Sequence, residues 1–241
     1  MSDLKLFVTG HKGFETPLFH ELRNILRNED ARLSKIYGGV EIFAPLKSVY
    51  LICLHSRLAN RVFYELKKVK VENEAGLYDA VYQIDWSAHL KPRNSLAISA
   101  TVSRSKLNHS QFVALKAKDA IVDQCREKSG TRPVIERHQP DLQIHINIHK
   151  DQATISLDLS GESLHRRGYR LQHSGAPLKE HLAAALLIQS GWDGSLPLRL
   201  IDPMCGSGTF AVEAAMIGSN RLFNSSRISC HNRVVSSILH N

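Results

Sequence analysis

The stretch from Leu198 to Phe210, LRLIDPMCGSGTF, has the residue types and spacing best suited to hold a ligand. Its first four residues, Leu198 to Ile201, read as a short strand that ends on an acid, Asp202. Gly206-Ser207-Gly208 reads as a tight turn and Thr209 to Ile217 (TFAVEAAMI) as a helix. Glycine lets backbone approach a ligand with no Cβ in the way. The helix behind it presents unspent N–H groups and the positive end of its dipole. Open α/β sheets bind ligands at the carboxyl ends of their strands. A carboxylate, a phosphate or another polar head group is therefore expected at this turn. Gly206, Gly208 and Ala211 satisfy the loose dinucleotide pattern G-x-G-x-x-G/A, which is weak by itself. A P-loop would need a lysine followed by Ser or Thr, and this turn has no lysine, which argues against triphosphate hydrolysis.

A second chemistry is carried by positive charge. The chain has 31 Lys and Arg against 23 Asp and Glu, a net +8, so a polyanion such as a nucleic-acid backbone is a natural partner. Arg104, Lys106, His109, Gln111, Lys116 and Lys118 fall just before or early in one helix, where side chains and N–H groups could meet phosphates. The plainer reading is a solvated helix face, with Asp119 and Asp123 as its internal partners. Arg166, Arg167 and Arg170 form another basic cluster, able to touch a nucleic-acid backbone or to brace the segment that follows.

Metal chemistry is not expected. His145 and His149 share a strand face, but four residues of strand separate them by about 13 Å, too far for one ion. They read as histidines on a solvated sheet face. Cys53, Cys125, Cys205 and Cys230 show no C-x-x-C spacing, so they read as isolated thiols, with Cys205 expected to pack.

Elements must position these groups. Leu4 to Val8 suits a strand. Thr16-Pro17 offers a cap and a first helical position, and Leu18, Leu22, Ile25 and Leu26 recur at helical spacing to about Arg27. Gly39 to Ala44 alternates like a strand, and a longer helix is expected from Ser48 to about Leu66, with Leu51, Leu58 and Val62 on one side. Together these make a β-α-β-α opening. Ser95 to Val102 reads as a strand. Ser110 to Lys128 reads as a helix with Ala114, Ala117, Ile121 and Cys125 inside, stopped by Gly130. Leu142 to Ile148 and Ile155 to Leu159 alternate and read as a hairpin joined near Lys150-Asp151-Gln152. A helix is expected at 176–190, with Pro177 in its first turn and Glu180 capping it or facing a ligand. At 241 residues, two domains are a fair expectation. No apolar run approaches the ~20 residues that span a bilayer, and MSDLKLFVTG lacks a secretion signal, so no membrane and a cytoplasmic home are expected.

Asp-Pro-Met-Cys-Gly-Ser-Gly-Thr at 202–209 resembles the first cofactor motif of one group of S-adenosylmethionine-dependent nucleic-acid methyltransferases. His165 to Tyr169 (HRRGY), Arg170, Ala176 to Glu180 (APLKE) and Leu182 to Leu187 resemble the segment preceding that motif in the same group. Ser103 to Gln124 and the hairpin before Gly161 look like a THUMP domain, an RNA-binding module. The chain to about Gly218 thus resembles the N-terminal part of the bacterial large-subunit ribosomal RNA guanine-N2 methyltransferases. The fold class this implies is α/β (α+β). Residues 1–66 would be a ferredoxin-like segment, 67–161 the THUMP domain and 162–217 the start of a Rossmann-like methyltransferase domain, leaving 218–241 as an atypical tail. By this resemblance Asp202, Pro203, Cys205, Gly206, Ser207, Gly208 and Thr209 line the S-adenosylmethionine loop. The turn's N–H groups would meet the methionine carboxylate. The implied reaction is direct attack of the guanine exocyclic amine on the cofactor's methyl group, helped by orientation and desolvation.

The sequence also departs from the family. No Asn/Asp-Pro-Pro-Tyr/Phe motif exists here to hold the target base, so no catalytic residue is assigned; the only Asp-Pro is Asp202-Pro203. The acid that would grip the cofactor ribose is likewise missing. Residues 218–241 hold six serines, four asparagines and no acid, a composition expected from a truncated gene or a shifted reading frame. Two other readings stay open: a non-catalytic RNA-binding fragment, and a THUMP-class methyltransferase acting on transfer RNA.

Overall fold

The computed structural model describes residues 3–91, 94–169, 178–194 and 199–219. They fall into two compact units: one joins residues up to Val62 with those from Glu162 onward, and the other is built on Phe63–Gly161.

The first unit opens with β1 (Leu4–Thr9), α1 (Glu15–Ile25), β2 (Arg32–Ile36), β3 (Gly39–Ala44) and α2 (Leu46–His55). β3 pairs antiparallel with β1 on one side and with β2 on the other. Leu6, Val8, Val40 and Ile42 are fully buried, as are Leu18 and Leu22 of α1, so alternation on the strands and i, i+4 spacing on the helix build one core. The Glu15 carboxylate accepts the N–H groups of Gly13 at 3.0 Å and Gly38 at 3.1 Å, fixing the start of α1 against the β2–β3 turn. α1 begins at Glu15, so Thr16 and Pro17 lie in its first turn rather than at its boundary, where a missing N–H costs nothing.

The helix expected over 48–66 is corrected. α2 ends at His55, and β4 takes up Arg61–Lys70. What stops α2 is a tertiary contact. Glu21 of α1 accepts from Ser56 Oγ (2.5 Å) and from the N–H groups of Arg57 (2.7 Å) and Leu58 (3.2 Å), in backbone that has already turned extended. The opening is therefore βαββαβ, and β2, an exposed strand with no buried residue, was not expected.

The first unit also holds α5 (Glu180–Gln189) and α6 (Thr209–Gly218). The helix expected from 176 starts at Glu180; Pro177 lies outside the described residues. Ala183, Ala184 and Ala185 are buried, small side chains that let α6 come close. The strand expected at Leu198–Ile201 is absent from its described part: 199–201 are irregular and Ile201 is 82% exposed. A parallel strand is held by neighbours on its edges, and no described residue pairs with this one.

The second unit contains β4 from Phe63 on, α3 (Glu74–Tyr82), a 3-10 turn at Trp86–Ala88, β5 (Ser95–Ser103), α4 (Ser110–Ser129), β6 (Val134–Ile135), β7 (Leu142–His149) and β8 (Gln152–Asp158). The strand order is β4-β8-β7-β5-β6, with β5 parallel to both its neighbours and the rest antiparallel. The expected hairpin is present. His149 faces Gln152, and both turn residues, Lys150 (φ 51°) and Asp151 (φ 58°), are left-handed, as a two-residue type I′ turn requires. α4 ends on left-handed Gly130 as expected. Its buried residues are Val113, Ala117, Ala120, Ile121, Val122 and Gln124, which leaves Ala114 and Cys125 half-buried. Gln124 is polar yet buried because its amide is used fully: Oε1 accepts Trp86 N–H at 2.9 Å, and Nε2 donates to the carbonyls of Tyr82 and Ile84. No described helix is long and apolar enough to cross a membrane.

Candidate functional site

The turn before α6 is built as a cradle. Asp202 Oδ1 accepts the Met204 N–H at 3.1 Å, and Cys205 O accepts the Gly208 N–H at 2.7 Å. Gly206 (φ 50°) and Gly208 (φ 72°) are both left-handed, a conformation that disfavours any side chain. Gly208 caps α6 with no side-chain hydrogen bond, and the first intrahelical bond runs from Val212 N–H to Gly208 O at 3.0 Å. The helix thus opens with N–H groups not spent on its own turn. No described atom lies within 4 Å of where a Cβ on Gly208 would sit. Asp202 Oδ2 is buried and has no partner among the described residues. The turn thus offers helix N–H groups able to meet an anion and a carboxylate oxygen with no described partner. Met204, Cys205, Gly206 and Ser207 are exposed and Thr209 is buried. Cys205 was expected to pack; it does not, because no described residue covers the turn's outer side.

One turn further along α6, Glu213 is fully buried and meets Arg167 at 2.9 Å, with both side chains no more than 1% exposed. Tyr169 OH donates to the same carboxylate at 3.1 Å. Burial is the largest cause in each case: it pushes the Glu213 carboxyl and the Tyr169 phenol up and the Arg167 guanidinium down. The opposite charge of Arg167 works against burial on Glu213. Arg167 is thus corrected from a candidate RNA contact to a buried brace. Arg166 is exposed, and Arg170 lies outside the described residues. Glu180, in the first turn of α5, is buried.

Nearby in the same unit, the His181 ring lies 5.2 Å from that of His165 and 6.0 Å from that of His11. Burial, with lesser repulsion from His165, His11, Lys179 and Arg167, pulls the His181 pKa down to about 3. A histidine that stays neutral in the fold but titrates at 6.5 when unfolded gives stability that is complete above 6.5. That stability is lost as pH falls from 6.5 toward about 3, at up to about 1.4 kcal/mol per pH unit. Between pH 7 and pH 5 the first unit should lose about 2 kcal/mol that His181→Gln does not lose. Urea titrations at both pH values check this, and equal losses in the two proteins would refute it.

In the second unit the candidate RNA contacts separate. Arg104, with left-handed φ 51°, Lys106, His109 and Gln111 are exposed. Lys106 is committed to Glu72 at 2.6 Å and, with Lys70, holds that carboxyl down to about 2. The His109 ring caps α4 by accepting the Phe112 N–H at 3.2 Å. Lys116 lies over the Tyr78 ring at 5.5 Å and Lys118 pairs with Asp119 at 3.0 Å, so both are half spent inside the unit. Lys150, read from the sequence only as part of the hairpin connection, is a further exposed cation: its N–H donates to Ser103 O at 3.3 Å, which sets the hairpin tip beside Arg104. His145 and His149 take hydroxyl partners on β5: His145 meets Ser99 (2.9 Å) and Thr101 (3.2 Å), and His149 meets Ser103 (2.9 Å). Among the described residues no group of three or more His, Cys, Asp or Glu could hold a metal ion.

Residues 5–63 match the RlmL ferredoxin-like domain, 71–158 the THUMP domain and 167–237 the RMKL-like methyltransferase domain. The ribosomal RNA large subunit methyltransferase K/L of Syntrophotalea carbinolica is 46% identical over 216 residues, 89% of this chain and 30% of its own. The chain belongs to this THUMP-containing methyltransferase family. It spans about 30% of the length of such K/L relatives. Among solved structures, a protein of Listeria monocytogenes assigned as an N6-adenine-specific DNA methylase superposes with a TM-score of 0.80 at 27% identity, covering 100% of this chain and 64% of its own. SMU.472, assigned as a methyltransferase and complexed with SAH, gives 0.77 at 28%, covering 100% and 65%.

Proposed function

We propose that this K/L-family chain supplies RNA binding and the methyl-donor loop for S-adenosylmethionine-dependent methylation of large-subunit ribosomal RNA at guanine N2, in the cytoplasm. The observation that carries the reading is the cradle before α6: two left-handed glycines, a helix start with no side-chain cap, and a buried Asp202 oxygen without a described partner. These fit the donor's amino-acid end. Helix N–H groups would take its carboxylate, and Asp202 would take its ammonium. When bound, the donor supplies an electrophilic methyl group. The chain's own residues would orient it: the turn at 206–208 sets the approach, and Arg167, Glu213 and Tyr169 fix the helix behind. The relatives' names and the neighbour complexed with SAH support donor and substrate class. The labour divides as a ferredoxin-like segment over 1–66, an RNA-binding THUMP domain over 67–161 and the donor loop within 162–217. Because no Asn/Asp-Pro-Pro-Tyr/Phe lies in the 241 residues, the chain by itself binds without transferring.

The RNA half is tested by salt. Binding of structured ribosomal RNA should weaken with a log–log slope of about 0.7–0.9 per phosphate neutralised. Reversing Arg104 and Lys150 together to Glu should flatten that slope by roughly two phosphates' worth. Lys118→Glu, at a cation already paired with Asp119, should flatten it less. Salt-independent binding, or none at low salt, removes the assignment.

A further inference from the structure

Arg57, on the turn between α2 and β4 in the ferredoxin-like segment, is held from three directions. Its N–H donates to Glu21 of α1 at 2.7 Å. Its carbonyl accepts from Arg167 Nη2 at 2.8 Å. Its own Nη2 donates to the Met216 carbonyl near the end of α6 at 2.9 Å. That carbonyl is in the last turn, beyond the reach of the helix's own described N–H groups and met otherwise by the Ser219 hydroxyl at 3.5 Å, and a cation there also meets the negative end of the dipole. Met216 and Glu213 are three residues apart, on one face of α6. Arg57 and Arg167 together therefore grip the helix at two points on that face, one beyond the other from the donor loop. Burial pulls the Arg57 guanidinium down and repulsion from Arg167 adds to that, while Glu21 and Glu213 counter both. A buried guanidinium that repels a half-buried one is costly, and the two carboxylates offset that cost.

We infer that Arg57 is a positioning residue for the methyl-donor loop: the ferredoxin-like segment fixes the angle at which α6 presents its first N–H groups to the donor. The inference rests on the reading of the Asp202–Thr209 turn given above. It assigns the N-terminal segment a part in donor binding, apart from any part in holding RNA.

The test uses the full chain, Arg57→Met and the conservative Arg57→Lys, with amide exchange and backbone NMR below the unfolding range. Arg57→Met should speed exchange of the 212–216 amides at least tenfold while β7 and β8 keep their protection, and Arg57→Lys should fall between. Titrated with SAH to millimolar concentration, the Gly206–Thr209 signals should shift saturably in the parent, and Arg57→Met should need at least fivefold more ligand. RNA affinity should not change. Unchanged α6 exchange overturns the inference even if Arg57→Met lowers overall stability. So does faster exchange with equal SAH affinity, which would leave Arg57 a purely structural role. Absence of loop shifts in the parent itself would instead sink the reading of the loop, and the inference with it. A variant too unstable to measure shifts the decision to Arg57→Lys, for which parent-like exchange and affinity are equally fatal.

Discussion

Glu213→Ala should destabilise the first unit by about 3–5 kcal/mol, enough to unfold most small domains at modest denaturant. The substitution leaves Arg167, with 1% of its side chain exposed, facing a cavity instead of a carboxylate at 2.9 Å. It also removes the acceptor of the Tyr169 hydroxyl. An isolated buried charge costs far more than a buried pair contributes, so the double replacement Arg167→Met with Glu213→Met should recover most of the loss. The chain offers a clean readout, because its two tryptophans divide between the units: Trp192, whose Nε1 donates to Ala214 O at 3.2 Å, reports α6, while Trp86 reports the second unit. Single-tryptophan variants followed in urea should show the Trp192 transition move and the Trp86 transition stay. A loss under 1 kcal/mol, or a double replacement as damaging as Glu213→Ala, would mean the pair is dispensable.

Much of this architecture was legible where local signals decide it. The glycine turn and helix at 202–218, the 110–129 helix with its Gly130 stop, and the two-residue hairpin at Lys150-Asp151 all follow from residue type and period. The failures share one cause, contacts from far along the chain. Nothing at Ser56-Arg57 marks a helix end; a carboxylate 35 residues earlier does. β4 was absorbed into that helix because Leu58 and Val62 happen to fall at i and i+4. α3 was missed because it is short and contains Gly76, and it is started by Asn73, whose side chain accepts the Gly76 N–H. Arg167 looked like its neighbour Arg166, and only Glu213, 46 residues on, makes it a buried brace. In the candidate site, the turn and helix were readable from sequence as local structure; bracing was one of two readings open to the arginine cluster, and its partner Glu213 was not readable.

The second large effect is at the loop, and it decides the account. S-adenosylmethionine should bind the parent chain at Gly206–Thr209 and, lacking a target-base motif in these 241 residues, leave no radiolabelled methyl on deproteinised large-subunit RNA. Gly206→Val puts a branched side chain at φ 50°, in the left-handed region and in the path of the ligand, and should abolish binding. Asp202→Asn keeps the Oδ1 that holds the Met204 N–H at 3.1 Å but removes the charge offered to the ammonium. Losing one charged hydrogen bond costs about 1.5–3 kcal/mol, a weakening of roughly 10- to 150-fold. Calorimetric titration of S-adenosylmethionine into the parent, Gly206→Val and Asp202→Asn is the direct test. Saturable binding in the parent, lost in the first variant and weakened at least tenfold in the second, is the expected result. Binding of equal strength in all three proteins, or none in the parent, would contradict the assignment of the loop.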